Sequence, residues 1–242
     1  MNSLIITLIA LALEASAGYP SRILESIGHP VTWMGVLISR LENKLNDACL
    51  DYKSRRLKGF VALFILIITT LLMSCTICFI LNLFPLGALV TGIVASSFMA
   101  LRSLDLHVKA VADGLDASLE EGRAAVGKIV GRDVTLLDET GVASAAIESL
   151  AENFSDGVIA PALYLALFSL PGAAIYKAVN TADSMIGHMS ERYEAFGFAA
   201  ARLDDLLNLV PARMSASLII LASVIAPGRS EEHTSELQSR ET

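Results

Sequence analysis

The chain has 242 residues, of which 54% are hydrophobic and 18% are charged, and its formal net charge is −7. Soluble domains carry about 25% charged residues, so this composition excludes an ordinary soluble domain. The negative net charge gives no reason to expect a nucleic-acid partner. We predict an all-α, multi-pass membrane protein with amphipathic cytoplasmic helices, in which residues 1–228 form a single membrane-embedded domain.

Five apolar segments are candidates for insertion into the membrane. One crossing needs about 20 apolar residues, and residues 59–101 contain no Asp, Glu, Lys or Arg. This run predicts a transmembrane hairpin with a break near Pro85. The first segment lacks a basic start, so we interpret it as a retained helix and not as a signal peptide. The expected membrane segments are about 1–17, 60–81, 86–101, 158–176 and 214–227.

Basic residues flank the hairpin on both sides, which predicts that both flanks are cytoplasmic. Segment 158–176 contains Pro161, Pro171 and Gly172. A full crossing at this point would carry the basic residues of 177–213 to the outside. We therefore favour a segment that enters the membrane and returns, or one that is buried against protein.

The polar middle of the chain, residues 102–157, is predicted to be helical. Apolar residues recur at spacings of three and four over 101–119, which is typical of an amphipathic helix. Thr135 and Asp138 fit a capping box that would begin a second helix. The segment GRAAVGKI at 122–129 resembles a phosphate-binding loop only superficially, because it ends in Ile where Ser or Thr is needed and no strand precedes it.

Three clusters of short polar side chains lie between residues 152 and 213. Asp, Asn and Ser beside apolar segments are typical of metal or phosphate sites. In the first cluster Glu148, Glu152 and Asp156 follow one another at i, i+4 spacing. This row suits either a Mg²⁺ site or two glutamates in water, with Asp156 capping the next helix.

The later clusters leave the same two alternatives open. Arg202 and Asp205 could form a salt bridge within one helix, and Pro211 could end that helix, but three clusters in one short region favour a function. His29 lies beside Pro30 and is interpreted as marking an ordered turn. If 175–190 is helical, one of its faces carries Lys177, Asn180, Ser184 and His188.

The chain changes character after Gly228. Residues 229–239, RSEEHTSELQS, resemble an in-frame translation of a sequencing-library adapter. We therefore expect 229–242 to be a non-native tail and the natural sequence to be interrupted near Gly228.

Four long motifs give the chain a resemblance to a known family. They are GHPVTWMG at 28–35, ENFSDGVIAP at 152–161, PGAAIYKAVNTADSMIGH at 171–188 and FGFAAARLDDLLNLVPAR at 196–213. From about Leu13 to Ala216 the sequence resembles the adenosylcobinamide-phosphate synthases of cobalamin biosynthesis, which are multi-pass inner-membrane proteins. Two features depart from the family pattern. Gly18-Tyr19-Pro20 stands where Gly-Asp-Pro is usual, and family chains continue beyond the break at Gly228.

The resemblance implies ATP-dependent joining of aminopropanol, or its phosphate, to the free propionate carboxylate of adenosylcobyric acid. ATP and Mg²⁺ would act as co-substrate and metal, and no tightly bound organic cofactor is expected. Membrane lipid and other cobalamin-biosynthesis enzymes are expected partners. The polar motifs would face the cytoplasm from the inner membrane.

Candidate roles follow from the residue types within these motifs. The catalytic candidates are Glu152, Asp156, Lys177 and Asp183. The candidates for binding substrate or nucleotide are His29, Asn153, Ser155, Asn180, Thr181, Ser184, Arg202, Asn208 and Arg213. The candidate metal ligands are Glu152, Asp183, Asp204 and Asp205. The alternative function is a non-catalytic membrane transporter or corrinoid-handling subunit, because polar clusters beside a Pro/Gly-broken segment also suit a transport site.

Overall fold

A computed structural model describes residues 2–18, 28–131 and 133–225, and within them every regular element is a helix. The all-α prediction is therefore confirmed. The position of Tyr19 and the tail 229–242 lie outside the described residues. The elements are α1 (Ser3–Ala17), α2 (Pro30–Leu45), α3 (Tyr52–Asn82), α4 (Gly87–Ser96), α5 (Leu101–Ala117), α6 (Leu119–Val126), α7 (Glu139–Phe154), a π-helical turn (Ser155–Ile159), α8 (Ala160–Ile186) and α9 (Phe198–Ile225).

Four helical stretches are long and apolar enough to cross a membrane, which confirms the multi-pass helical class. They are Tyr52–Asn82, Gly87–Ala117, Glu139–Ile186 and Phe198–Ile225. Two of these stretches are not single straight helices. Gly87–Ala117 is interrupted between α4 and α5, and Glu139–Ile186 contains the π-helical turn and a reversal within α8.

The uncharged run forms α3 and α4, with bounds that differ from those predicted. α3 begins at Tyr52, because the Asp51 carboxylate accepts hydrogen bonds from two backbone N–H groups of the first turn (3.1 and 3.3 Å). α4 ends at Ser96, well before residue 101, and the Ser96 hydroxyl donates to the Ile93 carbonyl (2.7 Å). Ten residues rise only about 15 Å, about half of the hydrocarbon core, so α4 alone is too short to cross.

α8 reverses its direction at Ser169, which has φ 58° and ψ −159°. The rings of Tyr164 and Tyr176 stack with centroids 5.2 Å apart, whereas twelve residues of straight helix would rise about 18 Å. A Cβ added at Gly172 would lie 2.5 Å from the Tyr164 carbonyl oxygen, so only glycine allows this close approach. Segment 158–176 therefore forms a helical hairpin, with a first arm before Ser169 and a second arm after it.

The π-helical turn 155–159 joins α7 to this hairpin. The Ala160 N–H donates to the carbonyl five residues before it, where an α-helix would use the fourth. The Gly157 carbonyl accepts the N–H of Ala100 (2.9 Å), which ties the turn to the link between α4 and α5. One extra residue turns the following chain by about 100°, so α8 leaves α7 in a different orientation from that of a continuous α-helix.

The polar middle forms its own small layer from α5, α6 and α7. The predicted amphipathic helix ends at Ala117, before Leu119, because the Ser118 hydroxyl accepts the N–H of Glu121 (3.2 Å) and so begins α6. Gly122 of the GRAAVGKI segment lies inside α6 and no strand precedes it among the described residues, which agrees with its rejection as a phosphate loop. The core of this layer consists of Val111, Val126, Val142, Ala145 and Ala146.

The predicted capping box at the start of α7 is wrong in its register. Asp138 is itself the N-cap, because its carboxylate accepts the N–H of Gly141 (2.7 Å). The Thr135 hydroxyl donates instead to Asp133 (2.7 Å). Helix α7 therefore begins at Glu139, three residues later than a Thr135 cap would place it.

Helix α9 runs through Pro211 without interruption, so the helix end predicted there is wrong. The Pro211 ring is fully buried, and this packing offsets the backbone hydrogen bond that proline removes. α8 is the central element of the fold, because it contributes to both large cores. One core joins α2, α3, α8 and α9 through Ile38, Leu66, Val179 and Ala199, and the other joins α1, α4 and α8 through Ile6, Ala95, Leu165 and Leu170.

Candidate functional site

Asn180, on the second arm of α8, lies at the centre of a buried polar group of side chains. It is only 8% exposed. Its amide nitrogen donates to Asp156 (3.2 Å) and to Asp204 (3.4 Å), and its amide oxygen accepts from the Lys177 ammonium (3.2 Å). One amide therefore joins residues from all three polar stretches of the sequence. We call these residues, together with Tyr176 and Asn208, the Asn180 cluster.

The cluster extends along α9 and back to the hairpin. Asp204 accepts a second hydrogen bond from the Asn208 amide (2.9 Å), and the Asn208 oxygen accepts from the Tyr176 hydroxyl (2.9 Å). The ring of Tyr176 stacks on Tyr164, whose hydroxyl donates to the Leu207 carbonyl (2.8 Å). Connected buried hydrogen bonds of this kind fix side-chain orientations, so the carboxylates are held in place before any ligand binds.

The charges of the cluster do not balance when its groups are ionised. It contains two carboxylates, Asp156 and Asp204, and one ammonium, Lys177. Burying an unpaired charge is costly, so the cluster offers a place where an incoming cation would be stabilised. The Ser155 hydroxyl, next to Asp156, is also buried and has no hydrogen-bond partner among the described residues.

His29, which the sequence analysis named both as marking a turn and as a binding candidate, lies within electrostatic reach of Lys177. Its Nδ1 accepts the N–H of Val31 (3.2 Å) and so caps α2. Burial lowers the pKa of His29 below its usual value, and the nearby Lys177 ammonium lowers this pKa further; a backbone hydrogen bond with Ser97 opposes both effects. Both effects disfavour the charged form of the His29 ring.

Asp183 lies one helical turn beyond Asn180 and is half-buried. It is within electrostatic reach of Asp204, Asp205 and Glu152. A Cβ added at Gly187 would overlap the Asp183 carboxylate, so this glycine leaves the room that the carboxylate occupies. Asp183 therefore lies at the edge of the Asn180 cluster.

A resident metal site is not assembled in the described ranges 2–18, 28–131 and 133–225, where no group of three or more His, Cys, Asp or Glu side chains could hold a metal ion. Of the predicted ligands, Asp204 is buried, whereas Asp205 and Glu152 are exposed. Asp156 and Asp204 supply two carboxylate groups, which are hard oxygen ligands, and the same Asn180 amide holds both of them. That set fits a cation such as Mg²⁺ that brings further oxygen ligands with it.

An open cavity of about 600 Å³ lies beside α7, separate from the Asn180 cluster. Its wall carries Glu148, Glu152, Asn153 and Ser184, together with the 129–131 loop. The Asn153 amide donates to the carbonyl and the hydroxyl of Ser149 (2.8 and 3.1 Å), so it is already engaged by its own helix. The predicted carboxylate row is thus divided, with its glutamates on this cavity and Asp156 in the Asn180 cluster.

Several other predicted site residues lie outside the cluster. Arg202 pairs with Asp205 on the surface (3.4 Å), as the structural alternative for that pair predicted. Arg213 donates to the Leu209 carbonyl of its own helix. The hydroxyls of Thr181 and Ser184 donate to the carbonyls four residues before them (2.6 and 2.9 Å). His188 follows the end of α8 and does not share its face.

Sequence reasoning did not select Tyr164 and Tyr176, although Tyr176 is a buried part of the cluster. Both lie in an apolar segment, and they meet only because the chain reverses at Ser169. The sequence also gave no sign that Glu42 accepts two hydrogen bonds from Arg192 (both 2.9 Å), a pair 150 residues apart. Long-range partners of this kind have no local signal in the sequence.

The fold and the Asn180 cluster define a multi-pass helical membrane protein with a buried ionic site between a helical hairpin and a neighbouring helix. Comparison with known proteins then identifies the group to which it is related. The family model described as CobD/Cbib protein matches residues 7–239, and the chain belongs to this family.

Curated relatives that carry the name "Cobalamin biosynthesis protein CobD" are similar over most of the chain. The Rhodobacter capsulatus protein is 47% identical over 224 residues, which cover 92% of this chain and 70% of the relative. The Sinorhizobium protein is 46% identical over 233 residues, covering 94% and 71%. The Brucella suis protein is 43% identical over 228 residues, covering 93% and 70%. No solved structure matches the chain.

Proposed function

We propose that this chain acts in cobalamin biosynthesis. Its reaction would be the ATP-dependent formation of an amide bond between the free propionate carboxylate of adenosylcobyric acid and aminopropanol or its phosphate. Membership of the CobD/Cbib family supports the biosynthetic role. The observation that carries the proposal is the Asn180 cluster, in which one buried amide holds two carboxylates and a lysine.

The chemistry has two steps. The propionate carboxylate attacks the γ-phosphate of ATP, which forms an acyl phosphate and releases ADP. The amine nitrogen then attacks the acyl carbon, the C–N bond forms, phosphate leaves, and the amine proton passes to a base. Both steps develop or move charge, so fixed charges in a water-poor site would stabilise them.

Each charged residue of the cluster suits one part of this reaction. The Lys177 ammonium can offset negative charge on a carboxylate or a transferring phosphate. Asp156 and Asp204 can hold an ammonium group, and one of them can accept its proton. The same two oxygens can complete the coordination of Mg²⁺ that enters with ATP. Asp183, at the edge of the cluster, would add to the attraction for either cation.

The basic residues near the end of the second arm of α8 support an orientation in which this end faces the cytoplasm from the inner membrane. Arg192, in the loop after α8, pairs with Glu42, and Arg55 at the start of α3 donates to the Glu191 carbonyl (3.2 Å). Basic residues favour the cytoplasmic side of a membrane. Asn180 lies about two helical turns before this loop, so the cluster would be close to the side that holds ATP.

The direct test uses membranes that contain this chain, with adenosylcobyric acid, aminopropanol phosphate and MgATP, and measures the corrinoid by mass spectrometry. The chain should convert the acid to the amide in an ATP-dependent manner. Lys177→Met and Asp156→Asn should each lower the rate by roughly 100-fold or more, since removing one charge-stabilising group typically costs 10²–10³ in rate. A parallel reaction with unphosphorylated aminopropanol determines which amine is used.

The matched control is Asp113→Asn, which neutralises an exposed carboxylate on α5 away from the cluster. It should keep the wild-type rate. Wild-type rates in both cluster variants would contradict the assignment. Movement of an unchanged corrinoid across sealed vesicles, without amide formation, would favour the transporter alternative.

A further inference from the structure

An apolar groove of about 630 Å³ runs along the outer surface between α3 and α9. Its α3 wall carries Phe60, Phe64 and Ile67, and its α9 wall carries Leu203 and Leu206. These positions repeat at i, i+4 and i+7 or at i, i+3, so each wall is a continuous stripe along its helix. Phe64 is 65% exposed and Leu206 is 61% exposed. Side chains so apolar and so open require an apolar environment.

Two guanidinium groups lie at one end of this groove. Arg56 lies over the Phe198 ring, 3.6 Å from its centroid, and Arg202 lies 5.5 Å from the same centroid. Both guanidinium groups therefore lie against one aromatic ring and place two positive charges at this end of the groove. Arg202 is also a lining residue of the groove, so the charged end and the apolar walls form one continuous surface.

The position of this end along α3 corresponds to a membrane interface. Arg56 belongs to the basic first turns of α3, and the sequence carries no further charge from Gly59 to Leu101. Basic residues directly beside a membrane-crossing helix attract anionic lipid head groups. The opposing charge is Asp205, which pairs with Arg202 at 3.4 Å while both side chains are about 70% exposed. Exposed pairs of this kind are weak, so a phosphate can compete for Arg202.

We propose that this groove binds one anionic phospholipid, with its phosphate between Arg56 and Arg202 and an acyl chain along the apolar walls. The site is separate from the Asn180 cluster. Arg202 and Asp204 are two residues apart on α9, which places them about 160° apart around the helix. Arg202 thus serves the lipid-facing surface, while Asp204 serves the buried site.

The first experiment extracts the full chain from membranes that contain equal amounts of phosphatidylglycerol and phosphatidylcholine, and counts retained lipid by native mass spectrometry. Wild-type protein should retain phosphatidylglycerol preferentially. Arg56→Gln/Arg202→Gln should lower this retention by roughly thirtyfold, the product of two basic contacts near an anionic surface. The control Arg40→Gln/Lys44→Gln also removes two positive charges, both exposed on α2 and outside the groove, and should retain the lipid as wild type does.

A second experiment locates the acyl chain. The chain has a single tryptophan, so Trp33→Phe combined with Phe64→Trp gives a reporter in the groove. Phosphatidylglycerol brominated on its chains should quench this tryptophan, brominated phosphatidylcholine should quench it much less, and excess inorganic phosphate should not reverse the quenching. Equal quenching by both lipids, release by phosphate, or equal lipid loss in the two double variants would overturn the proposal.

Discussion

Replacement of Asn180 by alanine tests whether one amide organises the buried site. The wild-type side chain donates to Asp156 and Asp204 and accepts from Lys177. Asn180→Ala would leave the buried Asp204 carboxylate and the partly buried Asp156 carboxylate without these donors, and a lysine without this acceptor. Because all three partners are charged, the loss should exceed that of an ordinary neutral hydrogen bond.

The expected magnitude follows from the geometry. Hydrogen bonds to charged groups contribute about 1.5–3 kcal/mol each, and the two bonds to carboxylates are long, at 3.2 and 3.4 Å. The lower figure is therefore appropriate for each of these two bonds, and their loss alone should lower the free energy of unfolding of Asn180→Ala by about 3 kcal/mol. For a chain of this size that corresponds to a fall in Tm of roughly 6–12 °C.

The assay compares the thermal unfolding of Asn180→Ala with that of Asn153→Ala in the same detergent. Asn153 is exposed, and its amide bonds only to Ser149 of its own helix, so its replacement should change stability by no more than about 0.5 kcal/mol. Asn180→Ala should also abolish amide formation, whereas Asn153→Ala should retain more of it. Equal Tm shifts in the two variants would refute the reasoning that Asn180 holds the cluster together.

Three further predictions concern the hairpin, an ion pair and the π-helical turn. Ser169→Gly should raise the free energy of unfolding by about 1 kcal/mol in a denaturant titration, because glycine adopts the Ser169 backbone conformation without strain. The Arg192 hydrogen bonds hold the pKa of Glu42 below its usual 4.5. This pair therefore stabilises the fold above pH 4.5, and the stabilisation is lost as the pH falls through the lower pKa of the folded state. The Tm difference between wild type and Glu42→Gln should accordingly shrink on acidification. Deletion of Ile159 should turn the hairpin by about 100° relative to α7, withdraw Asp156 from the cluster, and lower the Tm more than Asn180→Ala does.

Each of these predictions has a result that would contradict it. A loss of stability in Ser169→Gly would show that the backbone at this position is not strained. A pH-independent Tm difference for Glu42→Gln would mean that the ion pair does not depend on the ionised carboxylate. The control for the Ile159 deletion is deletion of Gly131, a loop residue with open space around it, and equal Tm values for the two deletions would argue against the π-helical turn as the device that sets the orientation.

Local signals predicted the elements of this fold well. The uncharged run from Gly59 predicted two helices, and the spacing of apolar residues predicted the helix that became α5. Errors arose where one side chain decided a boundary. Asp138 caps α7 in place of Thr135, and Ser118 separates α5 from α6. Either of two neighbouring polar residues can cap a helix, so the sequence alone does not choose between them.

The composition of the site was partly predictable, but its assembly was not. Short polar residues in an apolar chain drew attention to Asp156, Asn180 and Asp204, and the structure joins these three side chains through one amide. The sequence could not separate them from Arg202, which faces the opposite side of α9. That separation depends on which face of each helix is buried, a property of tertiary packing that the residue types do not encode locally.

The π-helical turn lies where one row of acidic residues meets two different spaces. Glu152 lines the open cavity, whereas Asp156 accepts a hydrogen bond from Asn180. The two carboxylates remain within electrostatic reach of each other, so the donors around Asp156 also offset this like-charge repulsion. The Gly157 carbonyl is bonded to Ala100, so the turn is fixed by a contact outside its own helix. A π-helical turn is less favourable than an α-helical one and is often found at functional sites, and this turn contains the carboxylate of Asp156 that accepts a hydrogen bond from Asn180.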